Sequence, residues 1–175
     1  MRRNTAYWIG SLVIAVLLAA GCGILKQSSA EKKAEEARVA ALVQERLDAR
    51  QYVVYADFMQ PRRGRAEAVT SPYSVTVDGT KLVSYLPYRG VAYSVPYGGG
   101  KVLNFTDEIE EYVEDFSRSD RRIITFSTDN DEDYIVYRIT VFSNGRADID
   151  IRSKNRESIS FRGHLDPDVS PRKEE

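Results

Sequence analysis

The spacing of apolar residues changes near Tyr52, from a helical period to strict alternation, and this change divides the chain into two predicted parts. The clearest alternation lies in Tyr134–Phe142, where every second residue points to the same side of a predicted strand. Ser143-Asn144-Gly145 follows, and Asn-Gly between alternating segments indicates a β-hairpin with positive φ at both turn positions. Return strands are predicted around Ala147–Arg152 and Ile159–Phe161.

The predicted strands continue towards the N-terminus. Arg122–Ser127 connects to the Tyr134 strand through the acidic turn Asp129–Asp133, so four consecutive strands form an antiparallel meander. Earlier strands are predicted at Tyr52–Met59, Tyr73–Val77, Leu82–Leu86 and Val102–Phe105. The predicted fold class is therefore mainly β, with about seven to nine strands in an antiparallel meander or curved sheet, or in a small sandwich-like barrel. The predicted fold also contains one N-terminal α-helix.

The segment Ile109–Phe116 gives two conflicting signals. Its apolar residues recur at helical spacing, and Asp107 with Glu110 resembles a capping pair, so the pattern alone favours a helix. Ser117–Arg121 nevertheless resembles a hairpin turn that leads into the next strand, which favours a strand. The residue pattern leaves both alternatives open.

A helix is predicted over residues 29–50. Ser28 and Glu31 have the spacing of a capping box, which marks a helix start. An apolar stripe runs along the second half of the segment, formed by Val39, Leu42, Val43 and Leu47. The first half is highly charged and is expected to face solvent, whereas the stripe is expected to dock on the β domain.

The first 21 residues resemble a lipoprotein signal peptide. Arg2 and Arg3 supply a positive start, and residues 6–20 carry no charge. The segment from Leu18 to Cys22 (LAAGC) resembles the lipobox that lipoprotein signal peptidase cleaves, although Ala19 stands where the pattern favours leucine. Cleavage there would leave the Cys22 thiol to carry diacylglycerol.

An uncleaved membrane anchor is the alternative, because Ala6–Leu25 is uncharged and about twenty such residues can span a bilayer. A short apolar segment that ends in small residues favours the cleaved signal. Both alternatives place everything after Lys26 outside the cytoplasm, since the positive start stays inside. The predicted mature chain comprises a lipidated tether (22–28), the amphipathic helix (29–50), an antiparallel β domain (51–165) and a disordered tail (166–175).

Composition excludes several classes of protein. The chain has 25 basic and 26 acidic residues, a net charge of −1, and removal of Arg2 and Arg3 leaves 23 basic residues and a charge of −3. Nucleic-acid binding normally requires a strong basic excess, so it is not expected. One cysteine allows no internal disulfide, and one cysteine with one histidine allows no Cys/His zinc site. No cofactor is predicted.

Patterns for nucleophilic catalysis and for phosphate binding are incomplete. His164 and Asp166 could belong to a Ser-His-Asp triad, but no G-x-S-x-G elbow is present. A lone histidine near the end of a strand is more typical of a surface position. Gly98–Lys101 resembles a phosphate loop only in part, because Val102 stands where Ser or Thr is required.

Two acidic segments raise the question of metal or hydrolytic chemistry. Asp129, Asp131 and Asp133 have calcium-loop spacing, but Tyr134 occupies the position that requires glycine, so a solvated turn is the better interpretation. The carboxylates between Asp107 and Asp115 could supply the pair that glycoside hydrolysis needs. A run of acids on a solvated strand or helix is the more common explanation.

Tyrosines cluster in the connection after Leu86, at positions 85, 88, 93 and 97, among two prolines and several glycines. Such a segment suits a shaped loop or a sheet edge better than a central strand. The tyrosine ring is apolar and its hydroxyl is polar, which suits a binding surface. Closing the edge of the core is the alternative role for these rings.

Two segments carry a family resemblance. Leu86–Gly98 (LPYRGVAYSVPYG) and Asn144–Gly163 together resemble the "domain of unknown function 4251" family, found in lipoproteins of Bacteroidota. The resemblance covers Leu42 to Leu165, although Arg89 stands where that family usually has an aromatic residue. It implies a strand at Ile109–Phe116, and it implies no activity.

The sequence therefore predicts a non-enzymatic cell-envelope lipoprotein with a binding or accessory assembly role. The candidate binding surface consists of Tyr88, Arg89, Tyr93, Tyr97 and Arg156. Expected partners are the lipid bilayer, through acylated Cys22, and an envelope protein or glycan. Gly23 without a following acidic run resembles the sorting signal for the outer membrane, facing the periplasm. A carboxylate-based hydrolase acting on envelope glycan is the alternative, which two converging acids of raised pKa in a cleft would favour.

Overall fold

A computed structural model of the chain describes residues 29–94 and 100–171. The chain divides into two units, with the boundary between Arg38 and Val39. Helix α1 runs over residues 29–48, and its side chains up to Arg38 are exposed, with an ion pair of 3.1 Å between Arg38 and Glu35. Among the described residues, no helix is both long and apolar enough to cross a membrane. The predicted signal peptide, Cys22 and Tyr97 lie outside the described residues.

The second unit contains one antiparallel sheet that curls into a half-barrel, which confirms the predicted fold class. Its strands are β1 (Gln51–Pro61), β2 (Glu67–Ala68), β3 (Ser74–Asp78), β4 (Lys81–Tyr85), β5 (Asn104–Glu108), β6 (Glu111–Asp115), β7 (Arg121–Asp129), β8 (Tyr134–Phe142), β9 (Arg146–Ser153) and β10 (Ile159–Leu165). Their order across the sheet is β5-β4-β3-β1-β10-β9-β8-β7-β6, and β2 pairs with β1.

The two edge strands of the sheet, β5 and β6, are consecutive in the chain, and only Ile109 and Glu110 separate them. The Ile109 N–H donates to the Thr80 carbonyl (2.7 Å), and the Glu110 N–H donates to the Ser127 carbonyl (3.0 Å). Each bond continues the pairing of one edge strand with its own neighbour. The two-residue connection itself holds the opposite edges of the curled sheet close together. The segment Ile109–Phe116 therefore forms a strand, as the family resemblance implied, and the helical spacing of its apolar residues is misleading.

Alternating residues of eight strands fill the interior of the half-barrel, and the largest of them are Tyr52, Phe126, Tyr137 and Phe161. A short polar chain crosses this interior. The Tyr137 hydroxyl donates to Ser84 Oγ (2.9 Å), which donates to the Leu103 carbonyl (2.8 Å). Burial raises the pKa of Tyr137 and of Tyr52 well above the ordinary tyrosine value, because the charged phenolate loses its hydration.

The second half of α1 docks on the sheet, as predicted. Val43 and Leu47 are fully buried in the core. The buried guanidinium of Arg122 on β7 holds the polar side of the helix, since its nitrogens lie 2.6 Å from Gln44 Oε1 and 2.7 Å from an Asp48 carboxylate oxygen. Glu114 on β6 lies 3.2 Å away and balances the same charge.

The hairpin between β8 and β9 differs from the predicted turn. Gly145 has a positive φ of 81°, but Asn144 does not, because Arg50 and Val102 are the described non-glycine residues with positive φ. The loop has three residues, and the Gly145 N–H donates to the Phe142 carbonyl (2.9 Å). This arrangement is the three-residue hairpin, in which a single glycine adopts the left-handed conformation.

A β-bulge at Asp57 interrupts the pairing of β1 with β10, so that Ala56 pairs with Gly163 and Phe58 pairs with Arg162. A Cβ atom on Gly163 would overlap the carbonyl oxygen of Tyr55. Only glycine permits this approach of two backbones, which explains a glycine inside a strand. The bulge turns Asp57 and Phe58 out to the convex side of the sheet, where both are exposed.

Candidate functional site

The tyrosine-rich connection between β4 and β5 lies against the segment that joins β9 to β10. The Tyr93 N–H donates to the Asn155 carbonyl (2.7 Å), and the Glu157 N–H donates to the Val91 carbonyl (3.0 Å). Ala92 and Arg156 form an isolated antiparallel bridge between these bonds. The backbone of residues 91–93 is therefore paired with the body of the domain.

Tyr88 acts as a brace under this connection. It is partly buried, and its hydroxyl lies 3.0 Å from the Glu157 carbonyl and 3.2 Å from the Val91 carbonyl. Burial is the largest cause that raises its pKa, followed by the nearby Glu157 charge. The ring of Tyr88 therefore stabilises the loop, and its hydroxyl is already engaged within the protein.

Arg156 is buried beneath the loop. Its Nη1 lies 3.2 Å from the buried carboxylate of Asp133, and its Nη2 lies 3.8 Å from Glu132. Asp133 also accepts hydrogen bonds from the Ser153 hydroxyl and the Asn155 N–H. The guanidinium thus neutralises a carboxylate in the interior, and Arg156 lies below the candidate surface instead of on it.

The acidic turn 129–133 holds the other end of the connection. The Glu132 carboxylate accepts the Lys101 N–H at 3.0 and 3.1 Å. The Asn130 side chain caps the turn by accepting the N–H groups of Glu132 and Asp133, each at 2.9 Å. Within the described part of the chain, no group of three His, Cys, Asp or Glu side chains is placed to hold a metal ion. Asp133, the last of the three evenly spaced aspartates, pairs with Arg156 instead.

Two apolar side chains of the loop project into solvent, Tyr93 with 65% and Val91 with 51% of the side-chain surface exposed. Arg89 is also exposed and forms an ion pair with Glu67. The candidate surface that the structure presents is therefore Val91, Tyr93 and the Arg89–Glu67 pair. Chemically, such a surface offers apolar contact area beside a charged rim.

Comparison with known protein families decides the membership of this chain. A family model described as "Domain of unknown function (DUF4251)" matches residues 30–165. The chain belongs to the DUF4251 family. The match begins near the start of α1 and ends at the last residue of β10, so this DUF4251 domain includes both the helix and the complete sheet.

A solved relative shares the fold of this DUF4251 domain. It is the crystal structure of a DUF4251 family protein from Bacteroides eggerthii DSM 20697, with 20% sequence identity and a TM-score of 0.54. The similarity covers 75% of this chain and 89% of that chain. A comparison with curated proteins found no match.

Several acidic residues of the DUF4251 domain are engaged by partners within the chain. Asp107 accepts the Thr128 hydroxyl (2.8 Å), and Glu114 faces Arg122 (3.2 Å). The backbone and side chain of Ser117 lower the pKa of Asp115, which is opposite to what a general acid needs. Nothing here supports the predicted alternative of a carboxylate-based hydrolase.

The histidine of this DUF4251 chain has a partner that the sequence did not indicate. His164 Nδ1 lies 3.0 Å from Asp57 Oδ2 at the β-bulge, whereas Asp166 caps Asp168 instead. Asp57 could not be singled out from the residue pattern, because a bulge turns it towards β10. The available signal was Gly163, since a glycine inside a strand marks a bulge or a close backbone approach.

Proposed function

We propose that this chain is a non-enzymatic, lipid-anchored protein of the cell envelope, and that it binds another envelope protein through Val91 and Tyr93. The supporting observation is the paired backbone of residues 91–93, which presents two exposed apolar side chains. A loop that is ordered before binding loses less conformational entropy when the partner docks. Such an arrangement favours recognition over catalysis.

The chemistry of the surface favours a protein partner. Tyrosine is enriched at protein interfaces, where its ring supplies contact area and its hydroxyl a hydrogen bond. The Arg89–Glu67 ion pair lies beside the apolar pair of side chains, and it supplies the polar rim that such interfaces have. Tyr97, in the same connection, is proposed as a further contact.

The proposed anchor is the acylated Cys22, with the domain on the periplasmic side of the outer membrane. It rests on the lipobox-like segment Leu18–Cys22 and on Gly23 without an acidic run after it. A single cysteine in an exported chain also needs an explanation, and acylation provides one.

A Cys22→Ser variant tests the anchor. Growth with radiolabelled palmitate should label the wild-type chain and leave the variant unlabelled, and the variant should keep its signal peptide because peptidase cleavage requires the lipid-bearing thiol. Mass spectrometry of the N-terminus provides the second measurement. Equal labelling of both chains would overturn the proposed anchor.

Photo-crosslinking in intact cells tests the binding surface. Benzoylphenylalanine at position 93 should yield a discrete crosslinked protein species, and additional Val91→Ser substitution should remove it. Phe116 is the matched control, since its side chain is 64% exposed and Tyr93 is 65% exposed. Identical species from positions 93 and 116, or none from position 93, would refute the surface.

A further inference from the structure

A shallow groove crosses the β-bulge on the convex side of the sheet, and none of its lining residues belongs to the proposed protein-binding surface. It consists of two depressions, of about 430 and 440 Å³, which share Asp57 and His164. One depression is lined by Phe58, Arg146 and Arg162, and the other by Tyr55, Ser71 and Tyr73. We call the two together the bulge groove. Both halves are open to solvent, so a ligand would lie along the surface.

The arginines of the bulge groove keep their hydrogen-bond donors available. Arg162 lies over the ring of Phe58, with 6.0 Å from its guanidinium carbon to the ring centroid, and Arg146 lies over the ring of Phe142 at 5.7 Å. Within residues 29–94 and 100–171, neither side chain forms an ion pair or a hydrogen bond, and Arg162 forms none with its cross-strand neighbour Asp148. A guanidinium resting on a ring presents its N–H edge to a carboxylate or phosphate.

The centre of the groove is held in one arrangement. Asp57 fixes the His164 ring through Nδ1 at 3.0 Å, which leaves Nε2 directed elsewhere and available to a ligand. Tyr55 packs against the same imidazole, with 5.7 Å between ring centroids. Since Gly163 and the bulge fix both backbones, these side chains need little reorganisation on binding.

The second half of the groove has the character of a sugar site. Tyr55 and Tyr73 supply ring faces, and Tyr73 is itself supported by Tyr85 at 5.0 Å between centroids. Sugar rings stack their C–H groups on aromatic faces, and their hydroxyls bond to polar side chains such as those of Ser71 and Asp57. The groove thus combines an aromatic end with a cationic end.

We propose that the bulge groove binds an anionic saccharide, that is, a sugar carrying carboxylate or phosphate groups. Arg146 and Arg162 take the anionic group by charge-assisted hydrogen bonds, and Tyr55 and Tyr73 take a neighbouring ring. A bare inorganic anion would leave most of the groove empty. The two depressions adjoin across the bulge, which suits an extended saccharide chain. This site shares no lining residue with the proposed protein-binding surface.

Calorimetry with the detergent-solubilised full-length chain tests the proposal. The probes are tetragalacturonate, neutral maltotetraose with the same number of rings, inorganic phosphate, and vesicles containing phosphatidylglycerol. We expect tetragalacturonate to bind at least about tenfold more tightly than maltotetraose or phosphate, and Arg146→Gln and Arg162→Gln each to weaken it about tenfold.

Arg152→Gln is the matched control, because it makes the same charge change on β9, six residues and about 20 Å along the strand from Arg146. It should leave the affinity for tetragalacturonate unchanged, and all variants should keep the wild-type circular dichroism spectrum. Equal losses in Arg152→Gln and Arg146→Gln would overturn the site. So would phosphate binding as tight as tetragalacturonate binding, or arginine-dependent vesicle binding without tetragalacturonate binding.

Discussion

Two buried charged residues, Asp133 and Arg156, lie beneath the proposed binding loop. The Asp133 side chain is completely inaccessible, and Arg156 is 5% exposed. Removing both charges from water costs several kcal/mol each, and the ion pair and hydrogen bonds between them offset that cost. Because the Arg156 backbone also pairs with Ala92, the Asp133–Arg156 ion pair helps to position the loop.

Replacing Arg156 with methionine should therefore lower the free energy of unfolding by about 3–5 kcal/mol, since Asp133 is left buried and unpaired. The double change Asp133→Asn with Arg156→Met should recover part of this loss. Urea unfolding monitored by tyrosine fluorescence measures both. Arg152→Met is the control, with an expected change within about 0.5 kcal/mol because Arg152 is exposed. A similar loss in both single variants would contradict the buried-pair argument.

Sequence reasoning selected Tyr88 and Arg156 by residue type, and the structure explains why type alone was insufficient. Both belong to the contact between the loop and the β9–β10 connection, but they lie on its inner side. Their partners, Glu157 and Asp133, depend on strand pairing that brings distant segments together. Val91 was overlooked because an isolated valine in a loop carries no sequence signal.

At the scale of elements, the docking of α1 rests on a small number of side chains. Leu47 and Val43 are fully buried, while Glu45 between them is exposed. Leu47→Ala should destabilise the domain by about 2–5 kcal/mol, because it leaves a cavity between helix and sheet. Glu45→Ala changes no buried contact and should shift stability by less than about 0.5 kcal/mol. Chemical denaturation of both variants measures the difference, and equal effects would contradict the docking.

Alternation predicted the strands well where one face is buried along the full length, as in Tyr134–Phe142, whose bounds agree with β8. It failed at the edges of the sheet. In Ile109–Phe116, Val113 and Phe116 are exposed, so their helical spacing marks no buried face. The strand expected at Val102–Phe105 begins at Asn104 instead, because Val102 adopts a φ of 58° in a tight turn. A β-branched residue rarely adopts that conformation.

At the scale of the whole molecule, buried tyrosines link stability to alkaline pH. Burial raises the pKa of Tyr52 and Tyr137 in the folded state, whereas both ionise near pH 10 in the unfolded chain. Their contribution to stability is therefore complete below about pH 10 and is lost progressively as the pH rises above that value.

Urea unfolding between about pH 8 and 12 should show this decline. Tyr137→Phe removes one of the titrating groups and should make the decline shallower, while Tyr93→Phe, an exposed position, should leave its slope unchanged. Absorbance at the phenolate band follows the ionisation directly. An identical slope in the wild type and in Tyr137→Phe would show that the buried phenol does not control alkaline unfolding.

The meander from β7 to β10 was predictable because its strands follow one another through short turns. The pairing of β1 with β10 was not predictable, because it joins distant parts of the chain, as in the pair Val54 and Leu165. No local pattern encodes a pairing at that separation. The two-residue connection from β5 to β6 was likewise hidden, because its backbone hydrogen bonds at Ile109 and Glu110 could be made by any residue except proline.

The position of β1 beside β10 at the middle of the sheet constrains the order of events during synthesis. Until β10 has left the ribosome, the two halves of the sheet cannot pair with each other. Folding that depends on such distant pairing is slow, so β1 keeps one edge unpaired until β10 has been made and has docked against it.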